Sequence, residues 1–131
     1  MQFSREESTS NLVRAWEHGR IRIGERWLTG NFIVTAETIV SDWDLQDPHR
    51  VTVEDLEPAL ALEPELVIVG AGFDLVRPDL ELMQKLAGLA VGLEYMQTPS
   101  ACRTYNVLVH EGRRVAAAMI QESANPSRQA R

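Results

Sequence analysis

The chain has 131 residues, 44% of them hydrophobic, and sets 13 Lys and Arg against 19 Asp and Glu for a formal charge of −6. That length suits a single compact domain over 1–131, with a core from about residue 12 to 120 and no need of a disulfide or metal staple. The acidic balance and scattered basic residues exclude a nucleic-acid binder that works by neutralising phosphates, and one cysteine, Cys102, fits a reducing compartment.

The N-terminal stretch MQFSREESTSN carries acidic residues where a targeting segment needs basic and apolar ones. Charge-free runs such as Leu86–Leu93 fall far short of the roughly 20 residues that span a bilayer. A soluble cytoplasmic protein with no transmembrane segment is expected, with the first dozen and last ten residues frayed.

In IRIGERWLTGNFIVT, Ile21 and Ile23 alternate with Arg20 and Arg22, the period of two of a half-buried strand. Gly30-Asn31 reads as a turn between strands, so a meander is expected to reach Val40. Ser41–Arg50 is loop-like. Trp16, Trp27 and Trp43 lack regular spacing and read as core or sheet-edge packing.

Thr52-Val53-Glu54-Asp55 has the hydroxyl and carboxylate of a capping box, predicting a helix to about Leu62 that buries Val53, Leu56 and Leu60 and ends at Pro64. Glu65–Gly70, ELVIVG, is an apolar run that suits a strand covered on both faces. Pro78 fits the first turn of a helix whose stripe is Leu82, Met83, Leu86, Leu89 and Ala90. Val91–Met96 is the next strand. Thr98 then offers a hydroxyl cap and Pro99 an N1 proline for a helix to Glu111, with Gly112 beyond its end, and Val115–Ile120 closes the chain as a strand.

The predicted fold class is therefore α/β: a β-rich N-terminal portion, then β-α-β-α-β, forming a mixed central sheet with helices on both faces. Parallel strands joined by a crossover would bring the Gly70–Asp74 loop and the Thr98–Arg103 helix start to one sheet edge, where open α/β sheets place ligands. Gly70, Gly72, Ser100, Cys102 and Arg103 are the candidate pocket residues there. Helix N–H groups, the Ser100 hydroxyl and the Arg103 guanidinium suit a small anion. The competing reading is a structural clasp in which Arg103 pairs with Asp74 or Glu94.

Other chemistry is weakly supported. Gly70-Ala71-Gly72 starts like a dinucleotide-binding turn, but Leu75 stands at the third glycine position. The first helical turn and Arg103 would lower the Cys102 thiol pKa, yet His110 lies eight residues on, roughly 12 Å along a helix, too far to act as its base. A small buried thiol is the favoured alternative. No metal-ligand spacing and no catalytic motif occurs, so no metal, cofactor or catalytic residue is expected.

ELVIVGAG followed by GLEYMQTPSACRTYNVLVHEGRRVAAAMI resembles the small domain family that includes mitochondrial NADH dehydrogenase (complex I) assembly factor 3. The match covers Leu66 to Ile120. Met96, Thr98, Ala101, Thr104, Tyr105, Asn106 and the Glu111-Gly112-Arg113 corner carry most of it. IRIG, the Thr29-Gly30 turn and Trp43 fit more loosely. The resemblance implies a mixed sheet between helices and no reaction to carry over. Its mitochondrial members are chaperone-like partners in respiratory complex assembly, and a basic targeting extension like theirs is not expected here. The expected function is a non-catalytic interaction protein with protein partners, assembly-factor-like, acting as a monomer or weak homodimer. The alternative is a small-anion or metabolite-binding protein, or an unassigned enzyme, using the five pocket residues.

Overall fold

The computed structural model describes residues 10–73 and 78–121. The ends expected to fray, together with Asp74 and Leu75, fall largely or wholly outside the described residues. Eleven elements follow in chain order: β1 (Val13–Glu17), β2 (Arg20–Ile23), β3 (Arg26–Leu28), β4 (Phe32–Val34), β5 (Ile39–Val40), α1 (Glu57–Leu60), β6 (Leu66–Ala71), α2 (Leu80–Gly88), β7 (Gly92–Met96), α3 (Thr98–His110) and β8 (Val115–Ile120).

The central sheet has the order β5-β4-β8-β6-β7. β6 runs parallel to both β7 and β8, while β4 pairs antiparallel with β8 and β5. The predicted mixed sheet and the β-α-β-α-β back half are therefore present. β8 explains the tight layering: all six residues of VAAAMI are buried, and its Cβ positions alternate between two cores. Ala116, Ala118 and Ile120 face α1 and α2 with Val67, Val69, Leu82 and Leu86; Val115, Ala117 and Met119 face α3 with Ile68, Ala101 and Tyr105. Alanines in the central strand let helices approach from both sides, and each fully buried Ile or Val contributes about 1.5–3 kcal/mol.

The front half departs from a single meander. β1, β2 and β3 form a separate antiparallel sheet that packs Ile21, Ile23 and Leu28 against the α3 side of the core. Gly30 and Asn31 do not close a hairpin; they carry the chain from that small sheet into β4 of the central one. Asn31 is fixed there from two directions, its carbonyl accepting from Trp43 N–H (2.9 Å) and its Oδ1 from Gln121 N–H (2.9 Å). β1 was not expected, because a bulge shifts the register between Val13 and Ala15 and erases the period of two.

The Thr52 capping box forms in both directions: Thr52 N–H donates to Asp55 Oδ2 (2.9 Å) and Asp55 N–H to Thr52 Oγ1 (3.2 Å). The long helix it announced does not follow. Turns occupy 53–56, and α1 is only Glu57–Leu60. Pro58 has no N–H to give the Glu54 carbonyl, and its ring crowds that group, so a continuous helix cannot pass it. Val53 and Leu60 are half-buried rather than buried. α2 begins after Pro78, with Asp79 at its N-cap, and its buried stripe is narrower than expected: Leu82 and Leu86 are inside, while Met83, Leu89 and Ala90 are exposed.

Candidate functional site

The two chain reversals do meet. β6 ends at Ala71 and turns through Gly72 at φ +68°, a left-handed conformation that glycine adopts without strain. β7 ends at Met96 beside it, and α3 starts at Thr98. Thr98 does not cap its helix. Its hydroxyl accepts the Gly72 N–H (2.8 Å) and donates to the Ile120 carbonyl (2.9 Å), and its own N–H donates to the Gly72 carbonyl (3.0 Å). One side chain thus binds the ends of β6 and β8 to the start of α3. With Thr98 only 3% exposed, Thr98→Val leaves the Gly72 donor buried without its acceptor. A loss of about 2 kcal/mol is expected in urea unfolding, and Thr98→Ser is expected to restore most of it. A Val variant as stable as wild type would mean that the hydroxyl bridge contributes nothing.

Gly70 lies under this bridge. A Cβ there would sit 2.9 Å from Met119 Sδ, 3.1 Å from Ala101 Cβ and 3.4 Å from Thr98 Cα. Above it, Phe73 packs edge-on against Trp16 with centroids 5.9 Å apart and stacks on His18 at 6.1 Å. These residues leave a gap of only about 10 Å³ over Thr98 and Gly72, room for about one water.

The five candidate pocket residues therefore divide. Gly70, Gly72 and Cys102 are buried in the packing of the corner. Ser100 and Arg103 lie on the outer side of the first turns of α3, where the Arg103 guanidinium donates to Ser100 Oγ at 3.3 Å. Asp74 lies outside the described residues, and Glu94 takes no part in the ion pairs among those described. Burial pushes the Cys102 thiol up to about 12, outweighing the opposite pull of Arg103. The lowered value expected from the helix start is reversed because Cys102 points into the core, 4% exposed, rather than along the helix axis towards solvent. At neutral pH it stays a protonated, poorly nucleophilic thiol.

Asn106 and Tyr105 of α3 both reach the N-terminal segment. Asn106 pairs its amide with the main chain of Val13 as a neighbouring strand would: Val13 N–H donates to Oδ1 (2.9 Å) and Nδ2 donates to the Val13 carbonyl (2.8 Å). Tyr105 donates its hydroxyl to the Asn11 carbonyl (2.6 Å). Only the i, i+4, i+7 spacing of Ala101, Tyr105 and Leu108 hinted at this face. Their partners lie more than 90 residues away in sequence, beyond any local pattern.

A cleft of about 300 Å³ opens at the other end of the sheet, between the β4–β5 turn, Pro64 and the Arg113–Arg114 corner. Its two arginines are already engaged. Arg113 is ion-paired with Glu65, holding that carboxyl below its ordinary value, and Arg114 Nε donates to the Glu63 carbonyl at 3.3 Å. Glu37 stands on the facing wall. Gly112, at φ +80°, makes the reversal that aims both arginines there.

A family model described as a protein of unknown function (DUF498/DUF598) matches residues 13–120. A 13 kDa major membrane protein of Francisella tularensis is 30% identical over 89 residues, covering 67% of this chain and 72% of that protein. Mouse NADH dehydrogenase (ubiquinone) 1 alpha subcomplex assembly factor 3 is 33% identical over 93 residues, 70% of this chain but 50% of that protein, so the match spans half of the mouse relative's length. A solved structure of a protein from Bordetella parapertussis superposes with a TM-score of 0.80 at 33% identity, over 87% of this chain and 98% of that one.

Proposed function

Because the chain belongs to the DUF498/DUF598 family and is similar in sequence to a relative named as an NADH dehydrogenase assembly factor, we propose that it is a non-catalytic interaction protein with an assembly-factor-like role. The observation that carries this reading is the outer flank of α2. Leu80 is 68% exposed and Met83 47%, adjoining on one flank of a helix whose core contact is already made by Leu82 and Leu86. Scattered exposed apolar residues are ordinary; adjoining ones on a helix flank that the core does not use support a contact surface.

Affinity purification of the tagged protein from its native cells tests this. One reproducible companion is expected with wild type and is expected to vanish with Leu80→Glu/Met83→Glu, whose thermal midpoint should match wild type because both side chains are exposed. A bait without a companion, or a companion indifferent to the double change, would overturn the reading.

A second reading is supported by the Arg103–Ser100 pair at the helix start: a small-anion or metabolite-binding protein that holds its ligand at that pair. A thermal-shift panel beginning with inorganic phosphate separates the two. Ligand at 100 times its Kd adds about 2.7 kcal/mol of stability. A shift abolished by Arg103→Ala would favour this second reading over the first.

A further inference from the structure

β7 is the outermost strand of the central sheet, and among the described residues nothing pairs with its outer side. Its inner side is assigned by the Gly92 N–H, which donates to the Glu65 carbonyl at 2.9 Å. Strand alternation then turns Glu94 and Met96 main-chain groups towards β6, and leaves the N–H and C=O of Leu93 and Tyr95 facing outward. Two donors and two acceptors, spaced as a strand requires, form an open template.

The side chains beside that edge state what would fit it. Leu93 and Tyr95 lean to the α2 face of the sheet, half-buried against its core. On α2 itself, Glu81, Gln84 and Lys85 share a shallow depression with Val53 and Glu54, so that side of the helix looks towards α1. With about 3.6 residues per turn, Leu80, Met83 and Ala87 occupy the flank on the other side of buried Leu82 and Leu86, towards the free edge of β7. Glu94 projects to the opposite sheet face, exposed and outside the ion pairs among the described residues.

Resting on the interaction reading above, we propose that β7 takes up an extended segment of a partner protein as a sixth strand. The segment has apolar residues at alternate positions, covering Leu93 and the Leu80–Met83 flank, and Lys or Arg between them, facing Glu94. Charge complementarity selects this occupant over a second copy of the chain. Antiparallel self-pairing centred on Glu94 would oppose two like charges, which destabilises a strand pair, and each copy carries a formal charge of −6. This is the β-addition mode of peptide recognition, with main-chain bonds for affinity and alternate side chains for specificity.

The probe is a blocked heptapeptide of alternating Lys and Val; its control alternates Glu and Val, with the same apolar face and the opposite charge. Amide hydrogen exchange by NMR is the readout. The Lys–Val peptide is expected to slow exchange at Leu93 and Tyr95 while leaving Glu94, already bonded to β6, unchanged. Glu94→Lys, an exposed substitution that keeps the strand, is expected to transfer the preference to the Glu–Val peptide. Binding that leaves the Leu93 and Tyr95 amides unaltered would be charge attraction alone and would overturn strand addition. Protection of the same amides by raised protein concentration without peptide would assign the edge to a second copy and overturn it equally. If neither peptide acts while a native companion is still lost on Leu80→Glu/Met83→Glu, strand addition falls and the interaction reading stands.

Discussion

Gly70→Val is expected to cost the fold about 3 kcal/mol, near the top of the usual range for overpacking a core. The mechanism is steric. The first added carbon already lies 2.9 to 3.4 Å from Met119, Ala101 and Thr98, and two more methyl carbons have no space between β6 and α3. Met119 is a flexible side chain, but Ala101 Cβ and Thr98 Cα move only with the helix. Relief therefore requires α3 to lift from the sheet, stretching the Thr98 bonds to Gly72 and Ile120. Urea unfolding would show a lowered midpoint. Gly88→Ala serves as the control, since a Cβ there meets nothing within 4 Å. Equal midpoints for Gly70→Val and wild type would mean that the corner is looser than its distances indicate.

Tyr105→Ala is expected to be more severe, about 3–5 kcal/mol, the range for emptying a buried aromatic site. Tyr105 is fully buried between the central sheet and the small β1–β3 sheet, and it carries the hydroxyl that holds Asn11. Tyr105→Phe separates the two contributions. Keeping the ring while losing one hydrogen bond should cost about 1 kcal/mol. If Phe proved as damaging as Ala, the tie to the N-terminal segment, and not the packing, would be what Tyr105 supplies.

The back half of the fold was legible because its signals are local and agree. Leu66–Ala71, LVIVGA, is apolar throughout, as a strand covered on both faces must be; VAAAMI is the same signal in smaller side chains; Pro99 and Gly112 bracket α3. The front half was not, and each failure has a cause. Pro58 overrides the capping box ahead of it. The bulge in β1 hides its period. Gly30-Asn31 has hairpin chemistry, yet Asn31 is used by Gln121 and Trp43, partners that local patterning does not reveal. α2 misled in the opposite sense: its apolar stripe is real, but a core needs only Leu82 and Leu86, and the surplus faces outward.

At the candidate site the topology was readable and the environment was not. Crossover handedness brings Gly72 and Thr98 to one rim. Whether a side chain at that rim faces solvent depends on what packs over it, here Phe73 of the rim loop itself held by Trp16 and His18 from a distant segment. Cys102 shows the consequence. Its place in a first helical turn beside Arg103 argued for an activated thiol and its size for a buried one, the favoured reading; burial makes it inert.

Alkylation of Cys102 by iodoacetamide under native conditions tests most directly whether the rim is closed by packing. Modification should proceed only as fast as the protein opens, and should reach the rate of a free thiol once urea unfolds the chain. Labelling of the folded protein at the free-thiol rate would show an accessible, reactive cysteine one helical turn from Thr98, and the corner would then have to be an open site.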